Sequence, residues 1–135
     1  MASQVSARLH FAQGFDGTLM LREGEVAIGV QADQARPYDL LQAALAACLH
    51  STFLEILEKK RLSIEFADYL IEGIKRSEVP TMLEEVIIHV TLPDGPNNEA
   101  LEKSFHLATQ YCSVFNTLAQ VAKMQCDVSF KTAGE

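Results

Sequence analysis

The sequence predicts an α+β protein with mostly antiparallel sheet. Two observations indicate this class: the chain reads as strands, a helix, long strands, a second helical region and a final strand, and the alternating segments follow one another closely enough to pair as neighbours. No repeat, linker or low-complexity tract divides the 135 residues. We therefore expect one domain over 1–135, which is long enough to bury a core without a disulfide or a metal.

Three short strands are predicted at the start of the chain. Residues 5–11 alternate between apolar and polar side chains, which is the period of a half-buried strand. A glycine-bounded turn at 14–17 follows, and then two more short strands at 18–22 and 25–30. This pattern predicts an antiparallel meander.

A long helix is predicted from Pro37 to Lys60. Proline at the first helical position, with Asp39 in the first turn, is typical of a helix start. Residues 40–49 are apolar on every side except at Gln42, so this helix must be buried all round. One modest sheet covers only one side, so we expect an obligate homodimer with a large apolar interface. Because polar residues interrupt the run, we do not expect it to span a membrane.

The second half of the chain predicts two long strands, an amphipathic helical region and a last strand. Alternation over 62–71 shifts phase at 67–68, which indicates one strand with a bulge, and 86–92 marks its partner. Apolar residues recur at spacings of three and four over 101–119, which predicts a second helical region. A final strand is predicted at 126–130.

The charge and the cysteine content narrow the possible functions. Lys and Arg number 11 against 18 Asp and Glu, a net charge of −7, so phosphate-backbone binding would lack its driving force. We expect neither nucleic acid nor membrane as a partner. Residues 1–6 show no signal-peptide pattern, and three cysteines are too few and too odd in number for a disulfide framework. Both features predict a cytoplasmic protein that keeps its thiols reduced.

The cysteines are the residues best suited to carry chemistry. There is no Cys-x-x-Cys pair, the four histidines fall at no ligand spacing, and no glycine-rich phosphate loop occurs, so no metal or nucleotide site is predicted. Cys48 lies in the apolar helix and Cys112 on the apolar stripe of the second helical region, so the two thiols could face each other. Composition alone favours a plainer interpretation, in which both are small core hydrophobes.

The segments around these two cysteines resemble the OsmC/Ohr superfamily. Residues 37–48 are similar to its Pro-x-(Glu/Asp)-Leu-Leu-x-Ala-Ala-x-x-x-Cys segment, and 111–114, Tyr-Cys-Ser-Val, are similar to the second cysteine motif of OsmC-like members. The loop at 76–80 is also similar to a loop in that group. The resemblance implies an OsmC-like fold, in which antiparallel sheets wrap around a central apolar helix within an intertwined homodimer.

The resemblance also implies an activity. Characterised members are cysteine-based peroxidases that reduce organic hydroperoxides, and in some members hydrogen peroxide, without a bound cofactor. Cys48 then corresponds to the peroxidatic cysteine, which becomes a sulfenic acid, and Cys112 to the resolving cysteine, which forms a disulfide with it. An external dithiol reductant would restore both thiols.

A second interpretation is a catalytically inactive member that binds a small apolar ligand at the dimer interface. Four aromatic residues are candidates either for the wall of such a pocket or for the core: Tyr38, Phe53, Phe105 and Phe115.

A reactive Cys48 needs a cation beside it, because a free thiol is ionised by only a few per cent at neutral pH. The resemblance implies an arginine from the N-terminal strands, held by an acidic residue at the start of the first helix. Asp39 matches the acidic position, but the family's arginine positions hold Phe15 and Ile28 here. Three substitutes are available: Arg22, Arg36 and Arg76. Arg22 is taken as the candidate.

Asp39 and Cys48 lie on one predicted helix but cannot share one site within it. Their spacing places them on opposite faces and about 13 Å apart. We therefore expect Asp39 to act on Cys48 of the partner subunit, or else only to stabilise the helix start as a first-turn carboxylate.

His50 is expected to be packed or hydrogen-bonded, and Cys126 to be structural.

Overall fold

The computed structural model describes residues 3–132, so the first two residues of the N-terminal segment considered above lie outside the described part. The chain divides into two compact units, one up to Ala43 and one from Ala44 onward, and this boundary falls inside the first long helix. The single domain over 1–135 stays a prediction.

The N-terminal unit contains a three-stranded antiparallel meander. Its strands are β1 (Arg8–Phe11), β2 (Gly17–Met20) and β3 (Glu25–Ile28), and β2 is central. Phe11 pairs with Gly17 across β1 and β2, and its ring stacks on Phe15 with centroids 5.8 Å apart. The meander is therefore confirmed, with strands a few residues shorter than the alternation suggested.

The long helix, α1 (Pro37–Lys59), begins at the predicted proline. Its buried side chains within the chain are spaced four residues apart and form one stripe: Leu45, Leu49, Phe53 and Leu57. On another side Leu54 is 44% exposed. Within one chain, α1 is thus not buried on all sides. That a partner subunit covers its exposed apolar side stays a prediction.

By length and composition alone, α1 is apolar enough to cross a membrane. The polar residues that interrupt the run do not bring α1 below this criterion, which is weak evidence for a span. Core helices of soluble proteins meet the same criterion.

The second unit contains a mixed three-stranded sheet made of β4 (Asp68–Lys75), β5 (Leu83–Pro93) and β6 (Lys123–Lys131). Central β5 runs antiparallel to β4 and parallel to β6. The parallel pair forms because two helices lie between β5 and β6 and return the chain to the same end of the sheet. Three of the four strand pairs among the described residues are antiparallel, so the expected fold class is confirmed.

The strand β4 starts later than predicted. Residues 62–67 alternate in sequence but form no strand, and pairing begins with Asp68 opposite Thr91. The partner strand ends at Pro93, which has no backbone N–H to extend the ladder. The irregular pairing lies at the other end of β4, between Ile74 and Lys75, and not at the predicted bulge.

The second helical region is two helices, α2 (Asn98–Tyr111) and α3 (Ser113–Leu118), and not one. The break falls at Cys112, whose backbone is extended with φ −72° and ψ 118°. The predicted apolar stripe is still present, because Leu101, Phe105 and Ala108 are buried. The Phe105 ring meets the ring of Phe53 on α1 edge to face, with centroids 5.2 Å apart.

Candidate functional site

The structure brings the sulfurs of Cys48 and Cys112 together. Cys48 lies on α1 and is half-buried, whereas Cys112 is fully buried in the break between α2 and α3. The Cys112 thiol is within hydrogen-bonding reach of the Cys48 sulfur. The Cys48 Sγ also lies 3.7 Å from the Oγ of Ser113. Both cysteines are free thiols in this state.

The break at Cys112 creates this arrangement. Cys112 ends α2 by donating its backbone N–H to the Ala108 carbonyl, and it caps α3 because its sulfur accepts from the N–H of Phe115 at 3.4 Å. The side-chain amide of Asn116 donates to three carbonyl oxygens at 2.8–3.3 Å: those of Thr109, Gln110 and Cys112. The bonds to Thr109 and Gln110 satisfy carbonyls in the last turn of α2, whereas the Cys112 carbonyl also accepts the Asn116 backbone N–H at 3.0 Å. The first N–H groups of α3 are left facing Cys48.

The start of α3 lowers the pKa of Cys48 below its ordinary value. The hydrogen bond from the Val114 backbone N–H has the largest effect, and partial burial of the sulfur opposes it. Hydrogen bonds from the Cys112 thiol and from the hydroxyl and N–H of Ser113 add to the lowering of the Cys48 pKa. Each of these donors stabilises the thiolate in preference to the neutral thiol.

Cys112 behaves in the opposite way. Burial, with a smaller contribution from Cys48, raises the pKa of the Cys112 thiol to about 11, although hydrogen bonds from the N–H groups of Phe115 and Val114 oppose this. At neutral pH Cys112 therefore stays protonated and can donate its S–H to the Cys48 thiolate. The two sulfurs are therefore chemically unequal: the pKa of Cys48 is lowered, whereas that of Cys112 is raised.

The sequence argument expected a cation to ionise Cys48, and the structure uses a backbone N–H for the largest part of this effect. Asp39 and Arg22 lie in the N-terminal unit. The Asp39 carboxylate accepts from the Arg36 backbone N–H at 2.9 Å, which is a helix-start role, and Arg22 is in the exposed β2–β3 turn. The Nε of Arg76 donates to the Pro80 carbonyl within its own loop. Catalytic roles for Asp39 and Arg22 stay predictions.

His50 and Cys126 have the surroundings that the sequence favoured. The Nδ1 of His50 is 2.9 Å from the hydroxyl of Tyr69 on β4, and burial lowers the His50 pKa, which keeps the ring neutral. Burial raises the pKa of Cys126 to about 11, and the neighbouring Asp127 adds to this. Cys126 is therefore an unreactive thiol at neutral pH.

Two of the aromatic residues considered for a pocket wall belong to the core. Phe53 and Phe105 are fully buried, so the pocket alternative is wrong for them. A groove of about 440 Å³ lies instead between α1 and α2, with a lining that includes Thr52, Ile56 and Tyr111. It begins one helical turn from Cys48, since the Thr52 hydroxyl donates to the Cys48 carbonyl at 3.0 Å.

Three residues that shape the site are missing from the sequence-based candidates: Ser113, Val114 and Asn116. The apolar spacing over 101–119 continues through the break and therefore hides it. A usable signal was present in the short polar side chains after Cys112, because Ser and Asn readily bond nearby backbone groups and so favour helix ends.

The fold and the thiol pair define a class: an α+β protein in which a break between two helices places a buried thiol against a half-buried thiol whose pKa is lowered. A sequence profile of the OsmC-like protein family matches residues 30–127. The chain belongs to this family.

Solved structures share the fold over nearly the whole chain. An OsmC-like protein from Mycoplasma pneumoniae is 16% identical with a TM-score of 0.84, and the match covers 96% of this chain and 99% of that one. A hypothetical protein from Aquifex aeolicus VF5 is 22% identical with a TM-score of 0.78, covering 96% and 99%. The organic hydroperoxide resistance protein OhrB of Bacillus subtilis is 15% identical with a TM-score of 0.68, covering 93% and 98%. A search of curated proteins gives no match.

Proposed function

We propose that this protein is a cysteine-based peroxidase that reduces organic hydroperoxides, with Cys48 as the attacking cysteine and Cys112 as the resolving one. The observation that carries the proposal is the contact between two thiols whose pKa values are displaced in opposite directions. Family membership supports it, because some solved relatives are organic hydroperoxide resistance proteins.

The first step oxidises Cys48 by two electrons. Its thiolate attacks the distal oxygen of the hydroperoxide, the S–O bond forms as the O–O bond breaks, and the electron pair leaves with the organic oxygen. That oxygen takes a proton and departs as an alcohol, while Cys48 becomes a sulfenic acid. The lowered pKa of Cys48 serves this step, since only the thiolate is nucleophilic.

The second step joins the two sulfurs. The Cys112 sulfur attacks the Cys48 sulfenic acid, its proton and the sulfenic hydroxyl leave together as water, and a disulfide forms. The Cys112 thiol hydrogen-bonds the Cys48 sulfur, so the two sulfurs are neighbours before this step. An external dithiol would reduce the disulfide through a mixed disulfide and return both thiols.

The groove between α1 and α2 supports an organic substrate. Its apolar surface includes Ile56, Leu107 and Tyr111, and Thr52, one helical turn after Cys48 on α1, also lines it. The carbon skeleton of a hydroperoxide bound there would lose apolar surface to water while its O–O end meets Cys48.

We also propose that the chain works as a cytoplasmic homodimer whose interface covers the exposed apolar side of α1. Only 22% of the most apolar stretch of this helix is buried within one chain. A second copy would cover what the chain leaves exposed, in keeping with the apolar character of obligate interfaces. Light scattering should give twice the mass of the chain, and a stable monomer at micromolar concentration would contradict the dimer.

The reaction itself is tested by counting thiols. Addition of excess cumene hydroperoxide to the reduced protein should remove two of the three thiols per chain, and peptide mapping should place the new disulfide between Cys48 and Cys112. Cys126 serves as the internal control and should stay reduced, since its pKa is raised to about 11. Survival of all three thiols would reject the peroxidase and favour the inactive, ligand-binding alternative.

A further inference from the structure

Ser113 places a side-chain hydroxyl next to the sulfur that would react. Its Oγ lies 3.7 Å from the Cys48 Sγ, and the residue is exposed, so water reaches it. Ser113 is also the first residue of α3, directly after Cys112, so the helix break fixes its position. Neither the attack by Cys48 nor the formation of the disulfide by Cys112 involves this hydroxyl.

We propose that Ser113 is a further catalytic residue, whose hydroxyl donates a hydrogen bond to the leaving oxygen of the hydroperoxide. The inference rests on the proposed peroxidase function and adds to it the group that receives the developing negative charge. As the Cys48 thiolate attacks, the O–O electron pair moves to the organic oxygen, which becomes an alkoxide. The Ser113 O–H stabilises that oxygen, and solvent water at this exposed position supplies the proton that completes the alcohol.

The contact distance makes this interaction specific to the transition state. A separation of 3.7 Å between oxygen and sulfur is a weak hydrogen bond, so the Ser113 hydroxyl stabilises the Cys48 thiolate less than the Val114 N–H does. An alkoxide oxygen is a stronger and more compact acceptor, so the same hydroxyl gains energy as charge leaves the sulfur. Interactions that strengthen in the transition state accelerate a reaction, whereas those that are equal in both states do not.

The Val114 backbone N–H has a different role at the same place. It makes the hydrogen bond with the largest effect on the Cys48 pKa, and the helix backbone holds it in position. A hydroxyl can instead rotate about its Cα–Cβ bond from the sulfur toward the oxygen beyond it. The backbone N–H therefore prepares the thiolate, and the Ser113 hydroxyl assists the bond that breaks.

The test separates these two roles with two reagents. Iodoacetamide reacts with the Cys48 thiolate without expelling an oxygen, so its rate against pH reports ionisation alone. Cumene and tert-butyl hydroperoxides and hydrogen peroxide require a leaving oxygen and report the proposed assistance. Ser113→Ala removes the hydroxyl, Ser113→Thr keeps it, and Thr117→Ala removes another α3 hydroxyl, one that donates to the Ser113 carbonyl at 2.9 Å and not to Cys48.

The wild-type alkylation rate should reach half its plateau below the ordinary thiol pKa and stay high above it, because a lowered pKa keeps the thiolate populated to lower pH. Ser113→Ala should move this midpoint little but slow peroxide reduction about 10- to 100-fold, the cost typical of one lost oxyanion donor. The slowing of peroxide reduction by Ser113→Ala should be largest for the peroxide whose departing oxygen is the most basic and therefore the poorest leaving group. Ser113→Thr and Thr117→Ala should react within about threefold of wild type.

The outcomes distinguish the two proposals. If wild type reduces peroxides and Ser113→Ala does so equally fast, or if its peroxide and alkylation rates fall by the same factor, the role of Ser113 is rejected and the peroxidase stands. If wild type itself loses no thiol to any hydroperoxide, the peroxidase and the role of Ser113 fall together. Loss of rate in Thr117→Ala equal to that in Ser113→Ala would assign the effect to the stability of α3 and overturn the proposal.

Discussion

Replacement of Cys112 with serine is expected to stop the enzyme after its first oxidation. Cys48 can still attack the hydroperoxide, because the backbone N–H with the largest effect on its pKa belongs to Val114 and remains. The sulfenic acid then lacks the thiol that hydrogen-bonds Cys48 in the wild type. Loss of an intramolecular partner should lower turnover with a millimolar dithiol at least about 100-fold, since a neighbouring thiol acts at a far higher effective concentration.

Trapping measures this outcome directly. In Cys112→Ser, one equivalent of peroxide should convert Cys48 to a sulfenic acid that dimedone labels, whereas wild type should give a disulfide and little label. Cys126→Ser is the matched control, because it removes the other high-pKa thiol and should leave turnover as in wild type. Turnover of Cys112→Ser at the wild-type rate would show that Cys112 does not resolve the intermediate.

The elements that sequence patterns predicted are those with a clear period or a clear start signal. The meander and the buried face of β5 have alternating apolar residues, α1 begins with a proline and an acidic first turn, and the structure has all three. The strand predicted from residue 62 failed for a reason outside its own sequence: its partner ends at Pro93. Periodicity reports which side chains can share a face, but it does not report where the neighbouring strand stops.

The candidate site could be predicted only in part. The two cysteine motifs pointed to Cys48 and Cys112, and the structure places these thiols in contact. The source of the lowered Cys48 pKa could not be predicted, because it is a backbone group. A cationic side chain such as arginine can be found in the sequence. The N–H of Val114, in contrast, becomes available only because α2 ends and α3 begins at Cys112. Backbone donors carry no signature in residue type.

The position of Cys112 depends in turn on how α2 packs. Phe105 is fully buried, two helical turns before Cys112 on the same apolar stripe. Its ring lies 5.2 Å from the ring of Phe53 on α1 and 6.1 Å from that of Tyr69 on β4. This cluster joins the helix that carries Cys48 to the helix that ends at Cys112, so the core that stabilises the fold also sets the spacing of the two sulfurs.

Phe105→Ala should therefore be strongly destabilising. Removal of a fully buried ring leaves a cavity and typically costs about 3–5 kcal/mol, a large share of the roughly 5–15 kcal/mol that holds a domain folded. Urea unfolding at one fixed protein concentration measures the loss, with peroxide-driven thiol loss recorded on the same samples. In the fraction that stays folded, disulfide formation should slow, because α2 is no longer fixed against α1 and the Cys112 sulfur meets the Cys48 sulfenic acid less often.

Two variants show whether the effect comes from this packing. Phe105→Leu keeps most of the apolar volume and should lose clearly less stability, about 1–2 kcal/mol. Leu70→Ala removes an apolar side chain that is 60% exposed on β4 and should change stability by no more than about 0.5 kcal/mol. If Phe105→Ala is no less stable than Leu70→Ala, the ring cluster does not hold α1 and α2 together. The spacing of Cys48 and Cys112 would then have to be set by the Asn116 bonds at the helix break, the other local contacts that fix Cys112.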